Sequence, residues 1–243
     1  MKRFIAYFDF MGYKNFILNN DSTHLKRRAE HILRDIEDSL AQGKYQERED
    51  GITVADLSLT KINCLNISDA VIFWTNDDSI ENLKELLLVA YRFNWKEILY
   101  NFPVRGVIYC DQMEIIYGQN KNQVESIYSP NLIYGRGLVK AHLKTENLNW
   151  AGCVIDATVI DQIKDTVNVE KFLEPFAKQY KIPYKKQYAL LLNKEGSKLN
   201  EVAFEETKKG IINAFSSDNK PIDNPRTQEL LNNTIAYLET FRE

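Results

Sequence analysis

The stretch FIAYFDFMGYKNFI, Phe4–Ile17, decides the reading of the chain. Aliphatic and aromatic residues surround one acid, Asp9, and a glycine, Gly12, follows three positions later. A run of this kind reads as a buried strand that ends at Phe10. A carboxylate at the end of such a strand is costly unless it is neutralised, paired or bound to a metal. The residues around it have to say which.

The chain has 243 residues, with hydrophobic residues at 44% and charged residues at 27%. It is long enough for one large domain, or a domain with an extension, and apolar enough to bury a core. The formal net charge of −3 comes from well-mixed signs and argues against a nucleic-acid-coating protein. The one basic cluster, Lys26-Arg27-Arg28, lies in a helix-like stretch that soon turns acidic, and it reads as a solvated helix face. Cys64, Cys110 and Cys153 have no paired spacing, which suggests free buried thiols in a reducing compartment. The amino terminus shows no signal-peptide layout, and no apolar run approaches the ~20 residues of a membrane helix. The chain is therefore expected to be soluble and cytoplasmic, with neither nucleic acid nor membrane as a partner.

Working outward, a short helix is expected over Tyr13–Asn20 and a longer one over Ser22–Leu40, capped by Asp21 or Ser22. The polar segment Gly43–Gly51 reads as a loop. Leu57–Ile67 and Ala70–Trp74 read as strands of a hairpin whose turn is Ser68-Asp69. A helix starts at Ser79 and ends near Tyr100, before Pro103. Strands follow at Val104–Cys110 and Met113–Tyr117, then Gly135 and Gly137 precede a helix over Leu138–Glu146. A strand at Gly152–Asp156 and a helix at Ala157–Ile163 close this block. The order β-α-β-β-α-β-β-α-β gives an α/β (α+β) plan with one mostly antiparallel sheet. The last ~80 residues hold a strand, Tyr188–Leu192, and a long helix, Arg226–Phe241. The expected division is 1–165 as a core and 166–243 as an α-rich extension packed on the core or on a dimer.

This order brings Asp69, at the hairpin turn, toward the strand that carries Asp9. Two converging carboxylates repel each other unless a cation lies between them. Mg²⁺ and Mn²⁺ take such oxygen ligands and leave positions open for substrate phosphates. Gly12, opening a helix, offers backbone N–H groups to a phosphate. Together these features describe a two-metal nucleotidyl-transfer site.

Four segments in this order resemble the class III nucleotidyl cyclases. FDFMGYKNFI resembles their first metal motif, NISDAVIFW their metal hairpin and PVRGVIY the strand after the second helix. YGRGLVKAHLKTENLNWAGCVID resembles their glycine–helix–strand segment. The wording is closest to the pyrimidine cyclases of Pycsar antiphage systems. The resemblance implies a ferredoxin-like cyclase fold and a uridylate cyclase that makes 3′,5′-cyclic UMP from UTP. CTP is the alternative substrate. It implies two Mn²⁺ or Mg²⁺ ions on Asp9, Asp69 and the Phe10 carbonyl, and a phosphate cradle at Met11, Gly12 and Tyr13. It also implies a head-to-tail homodimer with composite sites, and a separate effector protein that senses the cyclic nucleotide.

The sequence departs from the family in two places. Leu65 stands where purine cyclases carry a base-reading lysine, and it cannot donate a hydrogen bond. The family's Asn and Arg fall at Val139 and Leu143, or, with a one-residue shift, at Lys140 and Lys144. Lys144 and Arg136 are the candidates for offsetting transition-state charge. Tyr128 and Tyr134 lie near the family's base-reading segment. Arg105, inside a strand, reads as a buried partner for an acid ahead of a phosphate contact. His24, His31 and His142 are not expected at the reacting centre. A cyclase fold that binds nucleotide without turnover is the rival reading, kept alive by the missing Asn/Arg pair.

Overall fold

A computed structural model describes residues 1–48, 50–117, 131–182, 185–193 and 198–243. Strand β1 (Lys2–Phe10) is followed by helices α1 (Tyr13–Asn19) and α2 (Ser22–Leu40). A ribbon of β2 (Tyr45–Glu47) and β3 (Thr53–Ala55) precedes the hairpin β4 (Asn63–Ile67) and β5 (Ala70–Trp74). Helix α3 (Ile80–Tyr100) leads to β6 (Val104–Gln112), β7 (Glu114–Tyr117) and β8 (Asn131–Tyr134). Then come α4 (Arg136–Glu146), β9 (Gly152–Ile155), α5 (Ala157–Ile163) and α6 (Val169–Leu173). The chain ends with β10 (Ala177–Ile182), β11 (Lys185–Leu190), α7 (Glu201–Ser216) and α8 (Pro225–Leu238), followed by a 3₁₀ turn at Glu239–Phe241.

Seven strands form one sheet in the order β10-β11-β9-β6-β1-β5-β4, antiparallel throughout except for the β6–β9 pair. Its flanking helices make it the α+β fold that the element order predicted. Strands β10 and β11, from the expected extension, continue the same sheet through β9. The loop expected over Gly43–Gly51 holds β2 and the turn to β3. The strand expected from Leu57 begins only at Asn63, because Asp56 caps Ser58 N–H and Thr60 N–H turns back to the Leu57 carbonyl. The strand expected at Tyr188–Leu192 is shifted to Lys185–Leu190.

The period of two along β1 gives the sheet two unlike faces. Phe8 and Phe10 meet Phe93 of α3 edge-on, and Phe10 meets Phe102. This is an aromatic core in which Phe4, Phe8, Phe73 and Phe93 are fully buried. The ring of Phe8 lies over Gly106, its cross-strand partner on β6, where any Cβ would come within 2.5 Å of it. Ile5, Tyr7 and Asp9 point the other way, toward α4. Cys110 and Cys153 are buried and Cys64 is half-buried, and burial pushes the Cys64 thiol up to about 12. Among the described residues no helix is long and apolar enough to cross a membrane.

Candidate functional site

Asp9 is the last residue of β1 to face α4. It stands between Ala70 of β5 and Arg105 of β6. The hairpin turn is drawn onto it by backbone, since Phe10 N–H donates to the Asp69 carbonyl at 2.8 Å. Ser68, at φ +55°, makes the tight turn that leaves Asp69 exposed beside the strand end. The two carboxylates feel each other. Burial and then the Asp69 charge raise the Asp9 pKa, against the lowering effect of Arg105.

Arg105 donates from Nε to Asp9 Oδ2 at 2.7 Å and from a terminal nitrogen to the Glu146 carbonyl at 2.9 Å. This clamps the carboxyl end of α4 to the acid. Arg105 is thus an acid's partner, as its place inside a strand suggested. Tyr7, two residues before Asp9, hydrogen-bonds through its hydroxyl to His142 Nδ1 at 3.1 Å, and His142 Nε2 lies 3.6 Å from Glu146. Burial, with Asp9, Asp69 and Glu146 nearby, raises the Tyr7 pKa. His142 lies on the exposed surface of α4, in keeping with its reading as a helix residue outside the reacting centre, and its contact with Tyr7 is an addition to that reading.

The turn after β1 is fixed in its turn. Gly12 adopts φ +78°, a left-handed conformation that favours glycine, and α1 starts at the next residue. Met11 N–H is spent on the Pro103 carbonyl at 2.9 Å, so it does not serve a phosphate cradle. Among the described residues no hydrogen bond is recorded to the N–H of Gly12 or Tyr13. Tyr13 stacks on Phe10, with ring centroids 6.0 Å apart. Beneath the turn, the stem of the buried Lys220 packs so closely that a Cβ on Gly12 would lie 3.1 Å from its Cδ.

Leu65 belongs to the same face as Asp9, since the cross-strand row Tyr7–Ile72–Leu65 runs over three strands. The other expected residues lie elsewhere. Lys144 is ion-paired with Asp156, the N-cap of α5, on the β6–β9 side of α4. Lys140 reaches Asp111 at 3.1 Å, and Arg136 lies 3.7 Å from the same acid. All three are paired with acids of their own chain, where the resemblance had Lys144 and Arg136 as candidates for offsetting transition-state charge. Asp111 pairs with Arg3 on β1 and Arg105 with Asp9, so Arg136 sits six residues along the strand from Asp9. At ~3.4 Å per residue the separation is roughly 20 Å. Tyr134, at the end of β8 just before α4, shares that far end. Val139 and Leu143 are exposed apolar residues on the outer face of α4. Tyr128 lies outside the described residues.

Among the described residues no group of three or more His, Cys, Asp or Glu side chains is placed to hold a metal. Asp9 and Asp69 nevertheless form a hard-oxygen pair whose mutual repulsion a divalent ion would relieve. Asp9 Oδ1 carries no recorded hydrogen bond, while Oδ2 is held by Arg105. Two carboxylates with substrate oxygens completing the shell is how Mg²⁺ is ordinarily bound. The residues fit the group.

Neither a protein-family model nor a curated protein matches the chain. Solved structures do. The non-canonical dimeric guanylyl cyclase domain of the RhoGC fusion protein from the aquatic fungus Blastocladiella emersonii superposes with a TM-score of 0.52 at 8% identity, over 78% of this chain and 93% of that one. The catalytic core of a rhodopsin–guanylyl cyclase with converted specificity, in complex with ATPαS, superposes with a TM-score of 0.50 at 7% identity, over 78% and 94%. In both, the overlap takes in almost the whole of the cyclase domain. The chain has the fold of the nucleotidyl cyclase catalytic domain.

Proposed function

We propose that the protein is a nucleotidyl cyclase acting on a pyrimidine triphosphate, UTP ahead of CTP, with Asp9 and Asp69 holding Mn²⁺ or Mg²⁺. The observation that carries this reading is the convergence of the two carboxylates, on a strand end and a hairpin turn, within the cyclase fold. Ions held there would activate the ribose 3′-hydroxyl and neutralise phosphate oxygens. The chain itself does the positioning. Arg105 fixes the rotamer of Asp9 through Oδ2, the Phe10–Asp69 backbone bond fixes the turn, and the N–H groups of Gly12 and Tyr13 are left for phosphate. The 3′-hydroxyl gives up its proton to solvent, the new O3′–P bond closes the 3′,5′ ring, the α–β bridging P–O bond breaks, and pyrophosphate leaves.

Arg136 and Tyr134 lie too far from Asp9 to act within their own chain. They serve the reaction only across a homodimer with composite sites. Leu65, on the face of Asp9 and without a donor, supports a base other than adenine or guanine. Following the resemblance, the cyclic nucleotide would be an antiphage second messenger read by a separate effector protein.

A second reading has its own observation. Lys144 is committed to Asp156, and Val139 and Leu143 are apolar, so the helix offers no transition-state donor at the expected places. That is what a nucleotide-binding module without turnover would show. Incubation with each of ATP, GTP, CTP and UTP plus Mn²⁺, with products identified by mass, separates the two. Cyclic UMP or CMP from the native protein, abolished by EDTA and by Asp69→Ala, is the expected result. Nucleotide binding without cyclic product from folded protein would establish the module instead.

A further inference from the structure

A cavity of about 510 Å³ lies in the helical layer over the aromatic face of the sheet, away from the face that carries Asp9. Its walls are the start of α2, the end of α3 and the middle of α7. Such a volume is in the range of small-molecule sites. Helix α2 contributes His24, Arg27, Arg28 and His31, spaced i, i+3, i+4 and i+7, so that one helical face turns toward the cavity. The basic cluster read from sequence as a solvated face thus lines a concavity through Arg27 and Arg28. Helix α7 adds Lys209, and it approaches closely because a Cβ on Gly210 would come 2.9 Å from the Leu99 carbonyl.

The charges in this cavity do not balance. Of its two carboxylates, Asp218 is already shared by His24 Nε2 at 2.8 Å, Arg28 at 3.1 Å and Lys220 at 3.8 Å. Arg28 is further tied to the side chain and carbonyl of Asn101. Glu206 is the carboxylate left to face Arg27, His31 and Lys209. Among the described residues no ion pair is recorded for these three side chains, of which Arg27 and Lys209 carry charge. Arg27 makes one hydrogen bond among the described residues, to His24 Nδ1 at 3.1 Å, which leaves most of its fork of donors to a ligand. Burial, together with the charges of Arg34, Arg28 and Arg27, holds His31 below the usual histidine range. At the rim stands Tyr100, an aromatic ring 71% exposed on the last turn of α3.

We propose that this cavity is a binding site for a nucleoside phosphate, separate from the Asp9–Asp69 site. Its phosphate is held by Arg27, His31 and Lys209 and its base stacks on Tyr100. Arginine forks match phosphate oxygens in geometry as well as charge. An exposed aromatic ring is what a base requires without regard to its identity.

The chain has three histidines, which makes proton NMR of their ring C2–H signals a direct test. His24 and His31 line the cavity, and His142 reports on the opposite face. Adenosine 5′-monophosphate is titrated into the protein in EDTA. The expected result is a saturable shift of the His24 and His31 signals with His142 unmoved. Arg27→Ala/Lys209→Ala, at two exposed positions, is expected to weaken binding at least about tenfold, or 1.4 kcal/mol, with an unchanged melting curve. Tyr100→Ala should weaken adenosine 5′-monophosphate and leave ribose 5-phosphate unaffected. Shifts of all three histidines together, no saturation by about 10 mM, or native-like binding by the double variant would overturn the site. Ribose 5-phosphate binding as tightly as the nucleotide would overturn the ligand class.

Discussion

The two faces of β1 are built from alternating residues of one strand and differ in almost every physical respect. Phe8 and Phe10 enter an aromatic layer closed by Phe93 and Phe102, and charge meets it only at its margin, where Arg28 and Lys220 lie against the Phe102 ring. Tyr7 and Asp9 meet a histidine, an arginine and the end of a helix, and burial raises the pKa of both. One face supplies the free energy that lets the other hold a carboxylate it would otherwise reject. Stability and chemistry are therefore separable by substitution, a single residue apart.

The sharpest break in the comparison is Phe8→Ala. It empties the space over Gly106 and should cost about 3–5 kcal/mol in chemical denaturation. Asp69→Asn should do the reverse, leaving stability within about 0.5 kcal/mol because the side chain is exposed. Turnover measured by pyrophosphate release should fall at least about 100-fold. A loss of stability comparable to that of Phe8→Ala would show that Asp69 is a folding residue. Gly12→Ala lies between the faces. It forces a Cβ into the left-handed region and against Lys220, and should lose about 1–2 kcal/mol in thermal unfolding. The smallest effect is electrostatic. Burial lowers Lys220 to about 8, while an unfolded-chain lysine titrates near 10.5. The folded state binds fewer protons across that window, so stability should rise as pH goes from about 8 to 10.5. In Lys220→Met the rise should be smaller, by on the order of 1 kcal/mol.

The central half of the fold was legible because its signals are local. The strand ending at Phe10, the Asp21 cap of α2, the Ser68-Asp69 turn and the helix from Ser79 each announce themselves within a few residues. From these the approach of Asp69 to Asp9 follows, because the hairpin has one strand to pair with. What was not legible depends on distant partners. Helix α7 and strand β10 carry no strong period, and β10 exists by pairing with β11. The commitment of Lys144 to Asp156 and of Lys140 to Asp111 joins residues 12 and 29 positions apart. On the sequence these lysines are indistinguishable from solvated charges. The contact of His142 with Tyr7 was hidden for the same reason, since only the packing of α4 on β1 brings them together.

The contact of Lys220 with Gly12 bears on how the molecule can be cut. Every candidate ligand lies before residue 70, yet the floor of the turn that follows the first of them is laid by a residue more than 200 positions later. Asn19 and Asn20 add hydrogen bonds to Asn219 and Asp218, which staples the same two regions a second time. A shortened chain ending after β9 would retain all the acids and lack the support beneath Gly12. The carboxy-terminal segment is therefore part of what shapes the turn after Asp9, and the two ends of the polypeptide are one structural unit there.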